Sequence, residues 1–193
     1  MGIAFRHSAG FGKRMEYNLV GKMLMEGLDV YLPLVDDHGV DCVIKKEDGT
    51  FIEVQIKARS SEVTDGDAAL FSAITHDLTE NFYFVFYSER LQMMWILSSE
   101  EFLTECVTNK TGKNAGKRSI WFNGNRKDKK TGIKKEYCKK QFERYIAMDF
   151  SSIAVTKSWG ITLISLFTRS VPNLESAGHA SNHCNRCGSN RSA

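Results

Sequence analysis

An acid, an amide and an amine occupy alternate positions in residues 50–59, TFIEVQIKAR, where Glu53, Gln55 and Lys57 interleave with Ile52, Val54 and Ile56. Successive side chains of an extended strand point to opposite faces, so the aliphatic residues form a core row. The polar residues form a second row with about 6 to 7 Å between neighbours. A short turn from Glu47 to Thr50 makes the preceding segment a hairpin partner, which brings Asp41 alongside the polar row. Polar groups gathered inside a sheet are costly unless they bind something. Carboxylate and amide oxygens are hard donors suited to Mg²⁺, with Mn²⁺ as a substitute, and Mg²⁺ commonly takes only one or two carboxylates from a protein. Asp41, Glu53 and Gln55 are therefore candidate metal ligands. Lys57 is placed to position or activate water while a bound ion stabilises charge growing on a phosphate. That is equipment for phosphodiester hydrolysis. A second register takes Glu53 as the acid and Gln55 in the lysine position. Lys57 is preferred, because an amide neither acts as a base nor carries a positive charge.

The elements that must position these groups are legible in outline. Met15, Leu19, Val20, Met23 and Leu24 recur at helical spacing between Lys13 and Gly27, predicting an amphipathic helix that ends at the glycine. Residues 29–35 read as extended, with Pro33 marking an edge or bulge. VDCVIKK and TFIEVQIKARS are two strands around Asp48-Gly49, and NFYFVFYS and QMMWILS two more around a turn at residues 89–91. Residues 67–76 carry no clear period. Ser98 or Ser99 before Glu100 and Glu101 predicts a helix start. Residues 109–117 and 123–135 read as Gly- and Lys-rich loops around a short strand SIWF, and residues 135–148 as a helix through Tyr137, Phe142, Tyr145 and Ile146. The pattern is α/β, a central mixed sheet flanked by helices.

A glutamate on the leading helix, then Gly39-Val40-Asp41 on one strand, then Gln55 two residues before Lys57 on the next, resembles the PD-(D/E)XK nuclease superfamily. The segment is most similar to its Holliday-junction-resolvase-like and Mrr-like restriction branch. The resemblance covers residues 13–59 and implies a restriction-endonuclease-like fold with Asp41 and Gln55 on Mg²⁺ and Lys57 as the catalytic lysine. It also implies Glu16 as an auxiliary acid, with Glu53 compensating for the charge that Gln55 lacks. DNA is the implied substrate and a homodimer the implied assembly, since cutting two strands takes two sites.

Charge points the same way. The 193 residues carry a formal net charge of +3, yet residues 1–109 have nine basic and eighteen acidic side chains, while residues 110–144 have thirteen basic and three acidic. Such asymmetry separates a part that concentrates carboxylates from one that attracts a polyanion. Candidate nucleic-acid contacts are Arg59, Lys113, Lys117, Arg118, Arg126, Lys127, Lys129, Lys130, Lys134 and Lys135. Two other readings remain: a nuclease-fold DNA-binding protein with weak or lost catalysis, signalled by Gln55, and a module whose basic loops meet an acidic protein.

No run of about 18 apolar residues suggests a membrane span. Five cysteines in no paired pattern suit reduced thiols in the cytoplasm. Residues 1–170 read as one nuclease-like domain containing the basic region 110–144, and residues 171–193 as a flexible tail. His179, His183, Cys184 and Cys187 offer zinc-ligand chemistry, but almost no chain separates them to form a knuckle and the surroundings lack apolar residues, so the tail reading is preferred over zinc.

Overall fold

The computed structural model describes residues 8–35, 39–63 and 67–154. The chain divides into two units, Met1–Lys157 and Ser158–Ala193. The domain boundary expected at residue 170 and the tail with its four candidate zinc ligands lie outside the described residues.

Helix α1 (Ser8–Met25) leads into strands β1 (Asp29–Tyr31), β2 (Cys42–Lys45), β3 (Phe51–Arg59), β4 (Leu70–Ile74), β5 (Phe82–Ser88) and β6 (Met93–Ser98). Helix α2 (Ser99–Glu105) follows, then β7 (Val107–Thr108), β8 (Arg118–Trp121), β9 (Asn123–Lys127), β10 (Lys134–Cys138), a 3-10 helix (Lys140–Tyr145), β11 (Ile146–Ala147) and α3 (Ser151–Ala154). The predicted β2–β3 hairpin is present, its turn held by Asp48, whose carboxylate accepts the Thr50 N–H at 2.8 Å.

Six strands form a mixed sheet in the order β1-β2-β3-β5-β6-β11, antiparallel except where β3 and β5 run parallel. Alternation along β3 sends Ile52, Val54 and Ile56 into one core with Leu19, Val20 and Met23 of α1. Phe82, Phe84 and Phe86 of β5, with Trp95 and Leu97 of β6, enter a second core on the opposite face. Because β5 is covered on both faces, its sequence is almost continuously apolar. The central mixed sheet with flanking helices is thus the architecture expected. The second face has an additional cover: β4, β8 and β7 form a three-stranded antiparallel sheet, placing Phe71 and Ile120 against the β5 aromatics beside Phe102 of α2. The unpatterned stretch 67–76 therefore contains a strand, β4, with a register shift between Phe71 and Ile74.

Two expectations are corrected in the basic region. Residues 123–135 are not merely loop, because β9 and β10 pair as an antiparallel ribbon from Asn123↔Cys138 to Lys127↔Lys134. Residues 135–148 do not form one α-helix. Tyr137 lies on β10, while Phe142 and Tyr145 occupy a 3-10 turn, where residues three apart share a face, and both enter the second core. Among the described residues no helix is long and apolar enough to cross a membrane, and Cys42, Cys106 and Cys138 are free thiols.

Candidate active site and basic ribbon

The site grows from the place where β2 parts from β3. Regular pairing ends at Cys42↔Val54. One residue earlier the Asp41 backbone N–H donates to the Val54 carbonyl at 2.9 Å, and the Asp41 carboxylate turns to accept the Ile56 N–H at 2.7 Å. A side chain thus replaces the neighbouring strand and is fixed on β3 between Gln55 and Lys57. A backbone N–H donating to a charged oxygen is a strong anchor, and it satisfies a donor that the departing strand leaves behind.

Gly39 explains how the chain passes so close. Its φ is +71°, a conformation glycine adopts without strain, and a Cβ there would collide with the Gln55 amide nitrogen. The Gln55 side chain therefore lies over the segment that delivers Asp41. In register Gln55 is beside Phe84 and Lys57 beside Phe86, on the face opposite Val54 and Ile56. Both are half-buried, whereas Glu53, earlier on that row, is exposed. Among the described residues, the side chains of Glu53, Gln55 and Lys57 form no hydrogen bond or ion pair with the rest of the protein.

Glu16 approaches Asp41 from α1. Both line a cavity of about 150 Å³ with Lys13, Tyr17 and the Leu32–Leu34 segment, and Gln55 and Lys57 are not among its walls. Asp41 is therefore the member common to the helix side and the strand side of the site. Lys13, which sequence reasoning missed, forms an ion pair with Glu16 at 2.7 Å. Its amine is held above the ordinary lysine value, first by that hydrogen bond and further by the fields of Glu16 and Asp41, against the opposing effect of burial. The available signal was the three-residue spacing of Lys13 and Glu16, which puts them on one helix face.

The structure distributes the predicted basic contacts unevenly. Arg126, Lys127, Lys129 and Lys135 line a hollow of about 840 Å³ with Asn125, Asp128 and Tyr137 on the β9–β10 ribbon, and Lys130 and Lys134 are exposed on the same ribbon. Lys113 and Lys117 lie exposed in the β7–β8 connection. Arg59 and Arg118 have other surroundings. The Arg59 Nε donates to the Asp67 carbonyl at 2.8 Å, tying the end of β3 to the next segment, and burial lowers its guanidinium below the ordinary value. Arg118 is half-buried on β8, close enough to His76 and Cys106 to influence both.

No protein-family model matches the chain, and no curated protein matches it. Among solved structures it is similar to a bacterial homing endonuclease, I-Ssp6803I, at 17% identity with a TM-score of 0.42, over 59% of this chain and 76% of that one.

Proposed function

We propose that this chain is a metal-dependent DNA endonuclease of the PD-(D/E)XK kind. The observation that carries the reading is the Asp41 carboxylate anchored on the Ile56 N–H, between an amide and an amine that the protein itself leaves uncommitted. The donor set suits a hard divalent ion: the Asp41 carboxylate and the Gln55 amide oxygen would hold it, and Glu16 stands on the far side of Asp41. When bound, Mg²⁺ supplies charge neutralisation at the scissile phosphate.

The residues supply the rest. Asp41 is preoriented by its backbone anchor, so little reorganisation accompanies ligand binding. Lys57 holds the attacking water by hydrogen bonding and offers positive charge to the phosphorane-like transition state. Glu16, held by Lys13, sets the electrostatics on the helix side. The ribbon lysines and Arg126 track the backbone of the substrate. Double-strand cutting would use two copies of the chain.

Purified protein with Mg²⁺ or Mn²⁺ is expected to nick plasmid or branched DNA. Lys57→Ala should lower the rate by at least about 10²-fold, the scale of a lost acid–base or positioning group, without weakening DNA binding. A second reading, a DNA-binding protein with little or no catalysis, is favoured by glutamine at position 55 and by the pairing of Glu16 with Lys13. Full DNA binding with no cleavage on supercoiled, branched or single-stranded substrates would select it.

A further inference from the structure

We propose that the β9–β10 ribbon enters the major groove of duplex DNA, leading with the face that carries Arg126, Lys135 and Tyr137. The proposal rests on the DNA reading above for its polyanion and adds the element, the face and the groove.

Register defines the face. Residues directly opposite in an antiparallel pair share a face, so Lys135↔Arg126 and Tyr137↔Gly124 form one side of the ribbon, while Glu136↔Asn125 belongs to the other. That other side is docked on the protein: the Glu136 carboxylate takes both the Nε of Arg90 at 3.1 Å and its terminal nitrogen at 2.5 Å, a two-pronged ion pair. Arg90 also donates to the Val63 carbonyl at 2.6 Å, so the base of the ribbon is braced against the segment that follows β3. Bracing one face leaves the opposite one outward, and Arg126, Lys135 and Tyr137 are all exposed.

Gly124 keeps the ribbon thin. The Tyr137 ring lies across it so closely that a Cβ would come within 2.7 Å of the ring carbon bearing the hydroxyl. The aromatic ring is thus laid along the ribbon rather than standing off it. A pair of strands about 4.8 Å apart with its side chains matches the roughly 12 Å major groove of B-form DNA. An arginine and a lysine abreast there can meet guanine O6 and N7 or the flanking phosphates. Charge complementarity selects the occupant. Residues 123–138 carry six basic side chains and two acidic ones, of which Glu136 is already neutralised by Arg90. Duplex RNA is excluded on shape, because its major groove is deep and narrow.

The test separates this proposal from the nuclease reading by working without metal. Binding of a fluorescent random-sequence duplex in EDTA is measured by anisotropy across a salt series, and guanine N7 is probed with dimethyl sulfate. Wild-type protein should protect N7 positions. Arg126→Ala with Lys135→Ala should abolish that protection, weaken binding about tenfold or more at 100 mM salt, and reduce the log–log salt slope by about 2. A second variant, Arg126→Glu with Lys135→Glu, should lose the protection while its near-ultraviolet circular dichroism matches wild type. Unchanged affinity and protection in both variants would overturn the proposal, as would equal competition by duplex RNA of the same length. In a parallel reaction with Mg²⁺, cleavage absent with protection intact would count against the nuclease reading alone; cleavage present with protection unaffected in the variants would count against the ribbon alone.

Discussion

His76 shows how a single side chain can carry the pH response of a whole face. Its ring packs against Phe82, Phe84 and Phe102 with centroids 4.7, 4.7 and 5.9 Å away, and its Nε2 is 2.7 Å from the Ser99 hydroxyl. Burial, with help from Arg118 and against Asp77, pushes the imidazole below its ordinary value of 6.5. The unfolded chain therefore takes up the proton first as pH falls. The stabilisation is complete above about 6.5 and is lost as pH drops toward the lower folded value. Thermal unfolding between pH 8 and pH 5 should show a declining midpoint, and His76→Gln should flatten that decline; an identical slope in both proteins would contradict it. The candidate site was more legible at this scale than the histidine. Asp41, Gln55 and Lys57 stand out because a polar row interrupts aliphatic alternation. Lys13 and Gly39 do not, since one looks like an ordinary helix lysine and the other like an ordinary turn. Their significance lies in neighbours distant in sequence, the field of Asp41 for Lys13 and the Gln55 amide for Gly39.

At the scale of elements, α2 is the best case of sequence dictating structure. The Ser98 hydroxyl accepts the Glu101 N–H at 3.3 Å and the Glu101 carboxylate accepts the Ser98 N–H at 2.8 Å, a reciprocal cap on the helix that seats Phe102 in the second core. Ser98→Ala is expected to cost about 1 kcal/mol, measured by urea unfolding with an unchanged slope; no loss would mean that Phe102 packing alone sets the helix start. The β9–β10 ribbon is the opposite case. Lysine and asparagine are poor strand formers, so nothing local predicts pairing. The ribbon is specified instead by its turn, where the Asp128 carboxylate accepts N–H groups from Lys130 and Thr131 at 2.8 Å, and by the Arg90–Glu136 pair. Neither is visible as a period. The false helix over residues 135–148 has the same origin, since aromatic spacing was shared between a strand and a 3-10 turn.

For the molecule as a whole, the two cores meet in the central sheet, and Trp95 marks the more aromatic side. Its ring stacks on Phe122 with centroids 4.6 Å apart and planes 11° from parallel, and it is fully buried. Trp95→Ala should cost about 3 to 5 kcal/mol, and Trp95→Phe much less; equal losses would locate the effect in the indole nitrogen rather than in packing. The alternating hydrophobic pattern made the sheet legible, but not its second cover, because β4 breaks period at its register shift and β7 has only two residues.

The parallel pairing of β3 with β5 also dictates an order of assembly. Their partners run from Glu53↔Phe82 to Arg59↔Ser88, so the strand bearing the polar row meets its inner neighbour only after the intervening polypeptide has been made. During synthesis the hairpin can form early, while the row stays open along one edge until residue 88 clears the ribosome. A nascent chain halted before that point would display the open edge of an aliphatic strand to its surroundings. The inner edge of β3 therefore closes only once β5 has been made, with β6 and every element after it still to come.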